Sequence, residues 1–406
     1  MTEAIVAIFA IVYLGMILGG LPFLQLDRTG IALLGAIALI GIDALSLEEA
    51  ARAIHLPTVI LLFAFMVVSA QMRLGGFYDR VTRRLGELPL SPPLLLGALI
   101  GVVAALSAVF SNDIVCLAVA PVLIDACRRR GLNPLPFLLA LACAANIGSA
   151  ATLIGNPQNM LIGEALKLPF AGYLRDAALP VGLGLLCTWA LIGFASRGAL
   201  GAPPVVSVDA APEADALDRW QTIKGLGVAV VIVGCFLFTS LPREVVALTG
   251  AGVLLMSRKL HSRQMLGLID WELLVLFMGL FVVNHALQKT GLPAQAMAAM
   301  AAAGVPLQQP GPLFAATFVL SNLVSNVPAV MLLLPGAEHP LAGATLALVS
   351  TLAGNLLIVG SIANIIVVDA AAQRGVAIDW RTHARIGIPV TLATLAITGA
   401  YLALRS

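Results

Sequence analysis

The sequence predicts an all-α polytopic membrane protein: an inverted repeat of two five-span halves, each with a re-entrant hairpin and a broken helix. Composition, the spacing of apolar stretches and an internal duplication carry that prediction. Of 406 residues, 60% are hydrophobic and 11% charged, against roughly 25% charged in an ordinary soluble domain. A soluble chain of this length lacks the polar residues to cover its surface. The same balance excludes a disordered chain, a nucleic-acid binder and a secreted disulfide scaffold. The formal net charge of +2 points to no partner beyond the lipid bilayer.

The first apolar stretch, 4–24, has no basic leader and no small-residue cleavage site, so it reads as a retained span. Further stretches cover 30–45, 57–72, 93–127, 135–163, 176–195, 225–240, 243–257, 270–288, 312–335, 341–372 and 385–404. Lengths near 20 suit helices, because lipid forbids an unpaired backbone and the alternation of barrel strands is absent. Stretches 93–127 and 312–335 are interrupted by polar residues. Stretches 135–163 and 341–372 are too long for one straight crossing and contain Gly, Asn and Ser clusters. All five cysteines sit in or at the end of apolar stretches and read as core residues. Phosphate loops, metal-ligand spacings and a nucleophile elbow are missing, so the sequence predicts no enzyme and no cofactor.

The duplication is the most informative feature. LLFAFMVV (61–68) aligns with VLFMGLFV (275–282) at an offset of 214, as does SNDIVCLAVAP (111–121) with SNVPAVMLLLP (325–335). Gly155 and Asn159 align with Gly360 and Asn364 at 205. Arginines give the orientation. Arg73, Arg80, Arg83 and Arg84 precede stretch 93–127 and Arg128, Arg129 and Arg130 follow it, so this hairpin opens toward the cytoplasm. Its mate has only Lys289 before it and opens outward. Threading the chain this way gives ten spans plus two hairpins in a plasma (inner) membrane, with both termini outside. Of the 23 basic residues, only Arg52, Lys167, Arg175, Arg243, Lys289 and Arg405 then fall outside. Residues 1–196 form the first repeat, 197–224 a cytoplasmic linker, and 225–406 the second repeat. Oppositely inserted repeats with broken helices are a transporter signature.

Four polar clusters lie within the apolar stretches, and they supply the candidate substrate and ion site. Ser111, Asn112 and Asp113 mark the first hairpin tip, and Ser325 and Asn326 the second. The first broken stretch contributes Asn146, Ser149, Thr152, Gly155, Asn156 and Asn159; the second contributes Asn355, Ser361 and Asn364. A helix break exposes carbonyls on one half-helix and N–H groups on the other, which neighbouring protein, ions or solute must satisfy. The plainer reading is that Ser, Asn and Gly pack helices closely and bond across them. Recurrence of Asn112 at Asn326 and of Asn159 at Asn364 favours function. Asp113 faces Val327 in the alignment and has no acidic mate. An ionised Asp at mid-membrane costs at least roughly 2.5–3.5 kcal/mol, so it is by default a proton or cation site. Its other role is to cap the helix that follows. None of the clusters contains Lys or Arg, so a neutral or singly charged solute is easier to hold than a polyanion.

Three stretches, DWELLVLFMGLFVVN (270–284), FSNDIVCLAVAPVLI (110–124) and ANIGSAATLIGNPQNMLIG (145–163), resemble the ion transporter superfamily. It includes arsenite permeases, NhaD-type antiporters, divalent-anion/sodium symporters and citrate transporters. The resemblance implies that hairpin tips and broken-helix loops form the substrate and ion sites. It also implies a transport domain that moves against a scaffold within a homodimer. Ser111, Asn112, Ser325 and Asn326 match the first two positions of the Ser-Asn-Thr motifs of the sodium symporters. The third position departs, and the Asn112-Asp113 pair resembles arsenite permeases and plant silicon efflux transporters. Gly155-Asn156-Pro157-Gln158-Asn159 departs slightly from the usual form of the superfamily, which often has a second Pro.

The sequence therefore predicts a secondary active transporter of a small oxyacid or anion, arsenite- or silicate-like. H+ is the coupling ion through Asp113, and movement is elevator-like. The alternatives are a sodium-coupled di/tricarboxylate symporter, with sodium near Asn112 and Asn326, and a passive anion channel. The solute partner is a small anion or neutral hydroxy-acid.

Overall fold

The computed structural model describes residues 1–20, 25–198, 200 and 217–405. Most of the expected linker 197–224, and residues 21–24 of the first stretch, lie outside the described residues. The first ten helices are α1 (Thr2–Leu18), α2 (Arg28–Gly41), α3 (Leu47–Ala53), α4 (Leu56–Leu74), α5 (Phe77–Glu87), α6 (Pro92–Val109), α7 (Asn112–Arg129), α8 (Pro134–Ser149), α9 (Pro157–Ala165) and α10 (Phe170–Ala195). The next ten are α11 (Arg219–Phe238), α12 (Arg243–Leu255), α13 (Ser262–Leu266), α14 (Trp271–Lys289), α15 (Leu292–Ala302), α16 (Pro310–Val324), α17 (Asn326–Leu333), α18 (Ala342–Ala353), α19 (Ile362–Ala372) and α20 (Trp380–Ala403). The described residues form no strand. Their regular structure is all helical. By length and apolar composition α4, α6, α10, α11, α14 and α20 can each cross a membrane.

Local signals explain where the helices begin. Proline occupies the first turn of α4, α6, α8, α9, α15 and α16, where its missing N–H costs no intrahelical bond. Asp27, Asp218, Asp270 and Asp379 cap α2, α11, α14 and α20 through their carboxylates. Helix α10 starts six residues before the apolar stretch suggested, because Arg175 and Asp176 lie in its early turns and hide it from a hydropathy count. Helix α5 was missed for the same reason. It carries charges on one side and buries Tyr78, Thr82 and Leu85 on the other, an amphipathic spacing.

Packing sorts the helices into two groups that mix the halves. Helices α1–α4 pack with α11–α14, where α2 lies on α14 and α12 on α4. Helices α6–α10 pack with α16–α20, where α10 lies against α20 and α7 against α19. Two helices are buried on every side, α8 from Pro136 to Ser149 and α18 throughout. A helix apolar all round belongs in an interior, and these two form the centre of the second group. Each ends where a polar cluster begins.

Candidate substrate and ion site

The interruptions are built by glycine. After α8 the chain turns through 150–156 before α9. A Cβ at Gly155 would lie 2.3 Å from the Ser149 carbonyl oxygen and 2.8 Å from that of Ser107. At Gly148 it would lie 2.3 Å from the Ala104 Cα. No side chain fits either place. The hairpin of α6 and α7 turns at Phe110 and Ser111, and the Asn112 N–H donates to the Gly155 carbonyl at 3.3 Å. The tip therefore stops at the interruption. Helix α9 continues for nine residues beyond it, about 14 Å at 1.5 Å per residue. In the other half α18 ends at Ala353, a 3-10 turn follows at Ile358–Gly360, and α19 begins after Ser361. The position of a Gly354 Cβ lies 3.3 Å from Asn326 Nδ2, so the second tip also meets an interruption.

Asn146 joins these pieces. Its Oδ1 accepts from Asn112 Nδ2 at 3.1 Å and from Ser361 Oγ at 2.9 Å. Its Nδ2 donates to Asn355 Oδ1 at 2.8 Å and Asn364 Oδ1 at 3.1 Å. Two donors and two lone pairs are the full capacity of an amide, so Asn146 is satisfied by protein alone. Asn364 in turn donates to the carbonyls of Gly354 and Leu357 at 2.8 and 3.0 Å. Asn159 donates to the Thr152 carbonyl at 2.9 Å and Tyr173 Oη at 3.2 Å. Asn159 and Asn364 thus fasten their own loops. Ser149 donates to the Asn146 carbonyl at 2.8 Å and Thr152 to the Ala108 carbonyl at 2.5 Å.

Sequence reasoning passed over Thr351 and Gln158. Thr351 lies 205 residues after Asn146, the offset that relates Gly155 to Gly360, and it makes the reciprocal contacts. Its Oγ1 accepts from Asn156 Nδ2 and from Gln158 Nε2, both at 3.2 Å, and donates to Asn159 Oδ1 at 3.4 Å. Asn146 of one half binds the interrupted loop of the other, and Thr351 returns the contact. That offset was the available signal for Thr351. Ser107 and Ser321, five residues before the tip asparagines, differ by 214 and were equally readable.

The tips differ from the fastened loops. Ser111, not Asp113, is the N-cap of α7, and it makes no side-chain capping bond. The capping role considered for Asp113 is therefore not realised. Asp113 is half-buried in the first turn, where a helix N-terminus favours negative charge. Among the described residues, the side chains of Ser111, Asp113 and Ser325 make no hydrogen bond. Ser325 holds φ at 78° and ψ at 160°, a region that glycine alone enters freely and that costs about 1–3 kcal/mol. Its mate Ser111 sits at φ −53°. Several buried polar atoms on the two hairpins and the second interrupted helix lack partners: Asn112 Oδ1, Asn326 Oδ1, Asn355 Nδ2, Ser107 Oγ, Ser321 Oγ and Ser350 Oγ. Two amide acceptors, one amide donor and three hydroxyls are thus open. Such a set can accept hydrogen bonds from hydroxyl groups or coordinate a small cation, and offers no positive charge.

The ends of the site helices are tied by charge. Arg243 Nε lies 2.8 Å from Glu164 Oε1 and its guanidinium donates to the Gly163 carbonyl at 2.8 Å, closing the C-terminus of α9. Arg374 pairs with Asp125 at 3.8 Å, and Arg128 donates to the Arg374 carbonyl. Arg130 holds the carbonyls of Gly86, Leu88 and Leu90. Among the described residues no His, Cys, Asp or Glu cluster has metal-binding geometry.

Residues 8–353 match the citrate transporter family. The chain belongs to that family. As a citrate-transporter-family protein it is a membrane transporter rather than an enzyme, within the ion transporter superfamily that the three stretches resembled. It is 31% identical to the silicon efflux transporter LSI3 of Oryza sativa subsp. japonica, with 96% of this chain and 95% of that one covered. It is 29% identical to a 46 kDa membrane protein of Mycobacterium leprae, with 94% of each covered. The fold is similar to that of the solved Alcanivorax borkumensis YdaH transporter, with a TM-score of 0.58 and 14% identity over 99% of this chain and 97% of that one.

Proposed function

We propose that this protein is a proton-coupled secondary transporter of a small, uncharged or singly charged oxyacid. The observation that carries the reading is the set of buried, unpartnered polar atoms on both hairpins and on the second interrupted helix. Asn112 Oδ1 and Asn326 Oδ1 accept, as the hydroxyl groups of arsenous or silicic acid require. No Lys or Arg joins the network, and a tricarboxylate without such partners is poorly held. Identity with a silicon efflux transporter over nearly the full chain supports the same solute class. Asp113, half-buried beside the tip, is the proton carrier in this reading. Protonation removes the cost of moving its charge through lipid.

Residues 1–196 and 225–406 form the two inverted repeats in this proposal, inserted into the inner membrane with both termini outside and acting as a homodimer. The ion pairs support the two-sided threading. Arg243–Glu164, Lys289–Glu49 and Arg405–Asp176 join segments that the arginine distribution puts outside; Lys259–Asp218 and Arg374–Asp125 join segments it puts inside. The group α6–α10 with α16–α20 is the moving body, and α1–α4 with α11–α14 the scaffold. The second reading, sodium-coupled carboxylate symport, draws on the family match and on the same unpartnered acceptors, which suit a sodium ion. Thermal-shift screening of silicic acid, arsenite, succinate and citrate, each with and without sodium, separates the two. Stabilisation by a neutral oxyacid without sodium supports the proposal, and stabilisation by citrate only with sodium overturns it.

A further inference from the structure

Gln158 occupies a place the function so far does not use. It is 5% exposed, in the first turn of α9. Its Nε2 and Asn156 Nδ2 converge on one hydroxyl oxygen, Thr351 Oγ1, each at 3.2 Å. Thr351 sends its own hydrogen to Asn159 Oδ1 at 3.4 Å. All three contacts lie at the long end of the range, whose mode is about 2.9 Å for N–H···O. A hydroxyl has lone pairs for two donors, so Thr351 Oγ1 accepts both and keeps one when the other leaves. Asn156 Nδ2 spends its other hydrogen on Ser149 Oγ at 3.0 Å, whereas Gln158 Nε2 makes this one bond among the described residues and keeps a second hydrogen that an oxyacid oxygen can accept.

The donor exists on one side only. At an offset of 205 from Gln158 stands Ala363, fully buried and without polar atoms. The two interrupted loops, alike in Asn159 and Asn364, thus differ here in hydrogen-bonding power. The open atoms at the tips include two acceptors, Asn112 Oδ1 and Asn326 Oδ1. A solute with both hydroxyl hydrogens and a free oxygen lone pair complements the set, its hydrogens toward the tips and its lone pair toward Gln158.

We infer that Gln158 is a specificity-determining residue, whose amide N–H selects a small uncharged oxyacid by its acceptor oxygen. The inference rests on the proposed transport function and adds an orientation and a selecting group to it. An amide donor is neutral, so it discriminates by geometry and does not reward added negative charge as a guanidinium does.

The test is Gln158→Met, which keeps length and helix propensity and removes the N–H. Wild type and variant are reconstituted in liposomes with orthosilicic acid and, separately, citrate, and each is melted without solute. The expected result is a rise of about fivefold or more in the half-saturating silicic acid concentration, the scale of one lost hydrogen bond. The solute-free melting temperature stays within about 2 °C, since one long hydrogen bond is lost and Thr351 Oγ1 keeps its bond from Asn156. Wild-type affinity in Gln158→Met overturns the inference while leaving the transport reading intact. So does a fall in melting temperature of more than about 5 °C, a loss on the scale of several kcal/mol that marks a structural cross-link. A wild-type protein that moves no silicic acid contradicts the transport reading itself, and this inference with it.

Discussion

Asn146 Nδ2 donates to Asn364 Oδ1 at 3.1 Å across 218 residues of sequence, and that amide is the point where the two halves are fastened at the site. Because Asn146 is fully satisfied by Asn112, Asn355, Ser361 and Asn364, the proposed function makes it a positioning residue and leaves solute contact to others. Asn146→Ala strands several buried partners at about 1–3 kcal/mol each. We expect a loss of at least about 3 kcal/mol, read as a large drop in melting temperature in detergent. Asn112→Ala gives up one of those contacts and an open acceptor. It is expected to melt within a few degrees of wild type but to lose solute-induced stabilisation.

The site was legible in part for a physical reason. Asn112, Asn326, Asn159 and Asn364 announce themselves as polar residues in apolar stretches that recur at a fixed offset. Thr351 and Ser107 hide, because a hydroxyl in a membrane helix usually bonds its own preceding turn and carries no signal. The offsets of 205 and 214 would have found Thr351 and Ser107 respectively. Fold elements divided likewise. The buried helices α8 and α18 were plain as apolar runs, whereas α5, whose arginines mask an amphipathic face, and α15, which has no buried residue, were not. Tyr173, which holds Asn159 at 3.2 Å, gave no sign in the sequence, since that contact depends on how α10 folds back.

Gly155→Ala tests the interruption itself. The new methyl would meet the backbone of Ser149 and Ser107, which cannot rotate away as a side chain can. Overpacking of this kind costs about 1–3 kcal/mol or more. The expected outcome is reduced yield of folded protein and a lowered melting temperature, while alanine at Gly101 or Gly182, where a Cβ meets nothing within 4 Å, leaves both unchanged.

Ser325→Gly removes the backbone strain at the second tip. Glycine enters φ 78° freely, so the variant should gain about 1 kcal/mol of stability, partly offset by the greater freedom of its unfolded chain. If the strain holds the tip ready to move, transport slows as stability rises. A melting curve and an initial-rate measurement on the same preparation check both.

At the exposed end of α14, the Lys289 ammonium, 2.6 Å from Glu49, and the Ser46 backbone N–H hold the Glu49 carboxyl down to about 2. A carboxyl with a folded value below its unfolded one, near 4.5, stabilises above that pH. The contribution is lost as pH falls from about 4.5 toward 2. Exposure keeps it small. Glu49→Gln should flatten the acid limb of melting temperature against pH below pH 5 and lower stability by a small constant amount above it.

The most direct measurement of the central claim is concentrative transport in proteoliposomes. Silicic acid is supplied at equal concentration on both sides, and a pH gradient is imposed without sodium. The account predicts accumulation against the solute's own gradient in wild type, abolished by a protonophore and absent in Asp113→Asn. Equilibration without accumulation would reveal a channel. Accumulation that requires a sodium gradient and ignores pH, or survives unchanged in Asp113→Asn, would contradict the account.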